Sequence, residues 1–289
     1  MPAPRHLATA LVCALTASAH AAIEELTDWD LYTDSASATP AQAAAMTGSS
    51  APNLAQLNFI DDVDQDAGFD IGYSSINANT VSDATAGYYF SAASDFSVAL
   101  NFELTLTGPE GFVGIGLGIG EDLAGENSAG IALGVGSSGT TSLALFGAAG
   151  RNNDSAVIKP LSNTLYQPVI SSAGGSTTYA GSMTVSYDAS TGDIAVGAGG
   201  VSGTSTPDPA QTSATFLAAS DLPGWAGDDL LVTFFLRSDD PSIFDSWTGQ
   251  AAEADFFDFT AVQGSPVQVP EPASLALLGL GTLVLTRRR

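Results

Sequence analysis

Over most of the chain, apolar and polar residues alternate with a period of two. Phe96, Val98, Leu100, Phe102, Leu104 and Leu106 share one side, and Ser97, Ala99, Asn101, Glu103 and Thr105 share the other. That pattern predicts a long half-buried strand. The next two segments differ. Val113, Ile115, Leu117 and Ile119 alternate with Gly114, Gly116, Gly118 and Gly120, and Ile131, Leu133 and Val135 alternate with Gly130, Ala132, Gly134 and Gly136. One face is apolar and the other has almost no side chain. Two readings stand: the floor of a shallow groove for a flat sugar chain, or a curved sheet whose concave face needs small residues. Further strands are expected at Ser142–Phe146, Tyr179–Tyr187, Asp193–Gly197, Leu230–Arg237 and Ala254–Val262, with Tyr187 to Asp193 as a hairpin turn. Only Thr39 to Met46 reads as helix, with Pro40 near its start. Many short strands with Gly, Ser and Asp turns argue an all-β fold, an antiparallel β-sandwich of jelly-roll type.

The two ends break this pattern. Arg5 and His6 precede an apolar run from Leu7 to Ala17, and Ala19-His20-Ala21 offers a small-x-small cleavage site. Residues 1–21 therefore read as a secretory signal helix. At the other end Val269-Pro270-Glu271-Pro272 leads into an apolar stretch closed by Arg287-Arg288-Arg289. From Ala273 to Thr286 that stretch has 14 residues, short for a bilayer span. A hydrophobic helix followed by arginines holds a chain in the inner membrane with the cations cytoplasmic, and this length suits a transient anchor. The expected organisation is signal peptide 1–21, β-sandwich body 22–263, spacer 264–268 and sorting signal 269–289. The Ala/Ser-rich stretch Ser35 to Ser50 reads as loop or linker, not as a second domain.

Composition narrows the chemistry. The chain of 289 residues has 31 Asp plus Glu against 7 Lys plus Arg. His6, His20 and Cys13 all fall within the signal, so the body has no histidine or cysteine, and its cations are Arg151, Lys159 and Arg237. This excludes a Ser-His-Asp triad, a cysteine nucleophile, a disulfide and any zinc or haem site that needs imidazole or thiolate. A surface so anionic also excludes a nucleic-acid partner. The glycine-rich strands are no nucleotide fingerprint, because Gly-x-Gly-x-x-Gly fails at Ile119 and no βαβ unit surrounds it.

Pro270-Glu271-Pro272, the short hydrophobic segment and the terminal arginines together resemble the PEP-CTERM sorting signal. That resemblance implies recognition and processing by an exosortase in a Gram-negative bacterium that makes exopolysaccharide. Membrane contact would then be transient, and release would be to the cell surface or matrix. A second resemblance concerns the body. The strand from Asp95 leading into Gly111-Phe112-Val113-Gly114-Ile115-Gly116, the hairpin Val185-Ser186-Tyr187-Asp188 to Thr191-Gly192, and the closing Ala254-Asp255-Phe256-Phe257-Asp258-Phe259 resemble, in order, the concanavalin A-like lectin and glucanase jelly rolls.

Two candidate sites follow. Glu253-Ala254-Asp255-Phe256-Phe257-Asp258 is similar to the Glu-x-Asp-x-x-Glu strand of laminarinase-like glucanases, where two glutamates act as nucleophile and acid/base. Here the last position is Asp258, the segment closes the domain rather than lying mid-chain, and only Trp29, Trp225 and Trp247 exist to build a sugar platform. Asp62, Asp64 and Asp66 have the alternate spacing of a calcium loop, whose carboxylate oxygens suit a hard cation. The glycine comes one place later than in an EF-hand and the twelfth position is Tyr73, so a solvated acidic loop is the alternative. The expectation is a non-enzymatic exported protein with no catalytic residues, bound to exopolysaccharide or biofilm through a lectin-like sandwich, with calcium as the implied cofactor. The alternatives are a divergent glycoside hydrolase using Glu253 and Asp258, and a structural protein that self-associates through sheet edges.

Overall fold

The computed structural model describes residues 29–33, 47–51, 54–59, 69–107, 110–122, 127–138, 141–151, 157–161, 170–171, 176–200, 213–222, 225, 229–238, 251–262 and 267–268. Both terminal signals, the expected helix at Thr39–Met46 and the acidic run with Asp62, Asp64 and Asp66 lie outside the described residues. Within them the chain forms two antiparallel sheets and a single 3₁₀ turn at Val81–Asp83.

Sheet A runs in the order β1 (Asp30–Thr33), β4 (Phe69–Ser74), β15 (Asp229–Ser238), β7 (Glu110–Gly120), β8 (Asn127–Ser138), β9 (Thr141–Arg151), β10 (Val157–Leu161). Beside this path, β5 (Tyr88–Ser91) pairs with β15, and β17 (Val267–Gln268) pairs with β5. Sheet B runs β14 (Ser213–Phe216), β13 (Asp193–Gly200), β12 (Ser176–Asp188), β6 (Phe96–Thr107), β16 (Ala251–Val262), β3 (Leu54–Phe59), β2 (Thr47–Ala51), with β11 (Ile170–Ser171) on β12. The expected strands are present and longer than their apolar patterns, because pairing carries them past the buried stretch. The Ala/Ser-rich stretch is not all loop, since its end enters β2. Val267–Gln268, expected as spacer, forms a strand.

Alternation makes the sandwich. Phe96, Val98, Leu100, Phe102 and Leu104 of β6 are buried, as are Val113, Ile115, Leu117 and Ile119 of β7. These two apolar faces close on each other, which is the main favourable term for such a fold. At the centre Phe234 of sheet A meets Phe256 of sheet B with ring centroids 4.9 Å apart. Trp29 joins them, 5.1 Å from Phe234 and 4.9 Å from Phe259. The predicted hairpin turn links β12 to β13, closed by the Gly192 amide donating to the Asp188 carbonyl at 2.7 Å. The Ser190 hydroxyl and amide donate to the Asp188 carboxylate at 2.6 Å and 2.8 Å, and these hydrogen bonds, the hydroxyl's first, hold the carboxyl below its usual range.

One edge of the sandwich is fastened by charge. The Lys159 ammonium on β10 donates to the Asp221 carboxylate and to the Thr215 carbonyl, each at 2.6 Å, and lies 5.0 Å from the Phe216 ring centre. This ties the edge of sheet A to the edge of sheet B. The hydrogen bond from Lys159 is the main cause that lowers the Asp221 carboxyl to about 2. A carboxyl with a folded value below its unfolded one stabilises the fold above the unfolded value, and that support is lost as pH falls through the folded value. Denaturant titrations of the wild type should therefore lose stability between about pH 4 and about pH 2, and Lys159→Met should flatten that part of the slope.

Packing makes a second prediction. A Cβ at Gly130 would run into the backbone of Leu117 and Gly118, whereas one at Gly114 would meet only the Leu133 carbonyl oxygen at an ordinary 3.7 Å. Gly130→Ala should cost about 1–3 kcal/mol in thermal unfolding, and Gly114→Ala should be nearly silent. Equal effects would mean that β7 and β8 are not in this register.

Candidate functional site

The outer face of sheet B collects carboxylates. On β16, Ala254 and Phe256 are buried, so Glu253 and Asp255 face outward. Asp255 stands opposite Glu103 of β6 and Gln56 of β3, and the Gln56 amide donates to its carboxylate at 2.6 Å. Directly opposed like charges such as Glu103 and Asp255 destabilise a sheet, so this arrangement carries a cost. Burial, and then the charge of Asp255, push the Glu253 carboxyl up.

Asp258 reaches the same face through an irregularity. Regular alternation from Glu253 would place it inward with Ala254 and Phe256. The register of β16 on β6 shifts between Phe257 and Thr260, and Asp258 takes a left-handed φ of 52°. This bulge turns Asp258 outward, where the Asn101 amide donates to it at 3.1 Å, and sends Phe259 inward against Trp29. The candidate pair Glu253 and Asp258 thus shares one face. The spacing held the signal: residues an odd number apart can share a face only across an extra residue.

The same sheet forms an open cleft of about 430 Å³, floored by Ser97, Ser186, Ala195 and Thr215 and rimmed by Asp95, Asp188 and Asp193. The rim carboxylates are engaged in turns. Asp95 accepts from the Ala189 amide and Asp193 from the Ala218 amide, both at 2.8 Å. Among the described residues no three His, Cys, Asp or Glu side chains are grouped to hold a metal ion.

Sheet A is different on its outer face. Following the pairing from strand to strand, Tyr32, Gly72, Phe235, Gly116, Ala132, Phe146 and Pro160 form one row across it. A Cβ at Gly72 would sit 2.7 Å from the Tyr32 ring, and one at Gly116 would strike the ring of Phe235. The two aromatic rings lie across the two glycines and are half-buried there. Sequence reasoning found the glycine strands and missed the rings, which come from other strands. Arg237 follows Phe235 on the same side of β15, paired with Gly114 on one side and Asp70 on the other. All three cations of the body stand on sheet A strands, Arg151 on β9, Lys159 on β10 and Arg237 on β15.

Comparison with known proteins bears on the end of the chain first. Residues 268–289 match the family described as the PEP-CTERM protein-sorting motif. The C-terminal segment is a PEP-CTERM sorting motif. Such a motif implies export and sorting to the cell surface by an exosortase in a Gram-negative bacterium. No curated protein matches the chain in sequence. Solved structures similar to it are of the lectin and glucanase jelly-roll kind. An alginate lyase from Klebsiella pneumoniae is 13% identical with a TM-score of 0.44, covering 73% of this chain and 82% of its own. A lectin from Bauhinia forficata, in complex with GalNAc, is 12% identical with a TM-score of 0.40, covering 86% of this chain and 96% of its own. An immunostimulatory antigen and pseudo β-1,3-glucanase of Mycobacterium tuberculosis is 10% identical with a TM-score of 0.39, covering 73% and 75%.

The acidic face yields a prediction of its own. A carboxyl whose folded value is raised is disfavoured when charged, so its penalty is present at neutral pH and absent below the unfolded value. Glu253→Gln should stabilise the protein at pH 7, and the gain should vanish as pH falls through the ordinary carboxylate range. Chemical denaturation at a series of pH values checks this, and a gain that persists in acid would contradict it.

Proposed function

We propose that the chain is an exported, exosortase-sorted surface protein whose body holds exopolysaccharide or biofilm matrix without cleaving it. The observation that carries this reading is the row on sheet A, where Tyr32 lies across Gly72 and Phe235 across Gly116. Rings laid on a floor without side chains give a shallow apolar surface for sugar faces, and the neighbouring Thr233 and Arg237 add hydrogen-bond donors. Charge favours the same face. The body has 30 acids against 3 bases, so an acidic polymer is repelled from most of its surface, whereas Arg237 follows Phe235 on the outer side of β15. Calcium on Asp62, Asp64 and Asp66 would lessen that repulsion further.

The second reading, a divergent glycoside hydrolase, is favoured by the bulge that brings Asp258 to the face of Glu253. Retaining hydrolysis needs one carboxyl as nucleophile and a second, with a raised pKa, as acid/base. Glu253 has the raised carboxyl, while Asp258 is held by the Asn101 amide and is shorter than the glutamate of the resembling motif.

Titration calorimetry of the tail-processed protein against the producing strain's exopolysaccharide, with calcium and then with chelator, separates the readings. Saturable heat without new reducing ends is expected, and Phe235→Ala should weaken binding about three- to tenfold. Reducing ends that disappear in Glu253→Gln would establish the hydrolase instead. Absence of heat in both conditions would leave a structural protein that self-associates through its edges.

A further inference from the structure

The sorting motif and the folded body overlap. The match to the motif begins at residue 268, and Gln268 is also the last residue of β17, paired with Tyr88, while Val267 pairs with Tyr89. The strand that receives them is firmly part of the sandwich. Phe90 of β5 is buried, with its ring 5.2 Å from that of Phe96, and the Tyr89 hydroxyl donates to the Val81 carbonyl at 3.1 Å. Across its other edge β5 pairs with Leu230 and Asp229 of β15. The expected spacer is therefore not a free tether up to the motif.

Two consequences follow from chain geometry. From Gln268 to Ala273, where the hydrophobic segment starts, five residues reach at most about 18 Å when fully extended. Any enzyme that works on Pro270-Glu271-Pro272 must then work against the side of the sandwich. Peptide readers commonly hold an extended substrate by its backbone donors and acceptors, as an added strand. Pro270 and Pro272 have no N–H to offer, so the backbone of Gln268, Val269 and Glu271 carries most of that contact. One edge of Gln268 cannot serve both β5 and the sorting enzyme.

We infer that β17 is a strap that withholds the start of the sorting motif, and that the exosortase must peel Val267 and Gln268 off β5 before the tail is processed. The strap is only two residues long, so its release is a delay rather than a block. With a net contribution of about 1 kcal/mol for a hydrogen bond, pairing slows processing by roughly three- to tenfold. The inference rests on the sorting motif and is independent of what the body binds.

The test compares two insertions of the same Gly-Ser-Gly-Ser-Gly-Ser segment in the full-length chain. One follows Gln268 and moves Val269-Pro270-Glu271-Pro272 away from the strap. The other follows Gly264 and leaves the strap next to the motif. Tail removal is followed by pulse-chase and immunoblot in a Gram-negative host with its exosortase and in the same host without it. The expected result is processing about three- to tenfold faster with the insertion after Gln268, and unchanged with the insertion after Gly264. Equal rates for both insertions, whether at or above the rate of the natural chain, overturn the strap. If the natural chain keeps its tail equally with and without exosortase, the sorting reading fails and the strap with it.

Discussion

Phe234 and Phe256 touch across the middle of the sandwich, and the outer faces are organised around that contact. Tyr73 stacks on Phe234 from the next strand, and Trp29 fills the space beside it against Phe259. With no cysteine in the body and no α-helix among the described residues, this aromatic centre and the aliphatic rows around it hold the sheets together. Period-two alternation then dictates the rest, because each residue that enters the core sends its neighbour outward. The bulge in β16 is the exception. One extra residue turns Phe259 in to complete the aromatic centre and turns Asp258 out to the carboxylate face, so packing and surface chemistry are set by the same irregularity.

The two outer faces have opposite characters for the same reason. Sheet B received Glu103, Glu253, Asp255 and Asp258 on β6 and β16, where the Gln56 and Asn101 amides donate to Asp255 and Asp258. Sheet A received glycines and aromatic rings, with Arg237 following Phe235 on the same side of β15. Lys159 reaches across to Asp221 at the sheet edge, and Arg237 follows Phe235 on the outer side of β15.

Much of this was legible in the sequence. The strands β6, β7, β8, β12, β13, β15 and β16 follow from alternation, and the β12–β13 turn follows from its Asp, Ser, Thr and Gly residues. Short strands were not legible, because four or five residues hold too little pattern to stand out. β10, with Lys159 and Pro160 inside it, is recognised only through its pairing with β9. Two-residue β17 has no period at all. Pairing order was hidden too, and with it the rows. Nothing local says that Phe235 lies over Gly116, or that Glu103 faces Asp255. The acidic run with Asp62, Asp64 and Asp66 and the two terminal signals rest on motif alone.

The order of strands within each sheet sets when the fold can close. β3 and β2 join sheet B only through β16, and β4 and β1 join sheet A only through β15. The first strands of the chain thus have no place until nearly the last ones arrive. Contacts of such long sequence separation form slowly, since the loop between them must close first. For a chain whose tail marks it for export, this is useful. The strands that receive the first ones, β15 and β16, come late in the chain, after β6 to β14. Until β15 and β16 are present the native sandwich cannot form, so the timing of closure is set by strand order and not by the strength of the core.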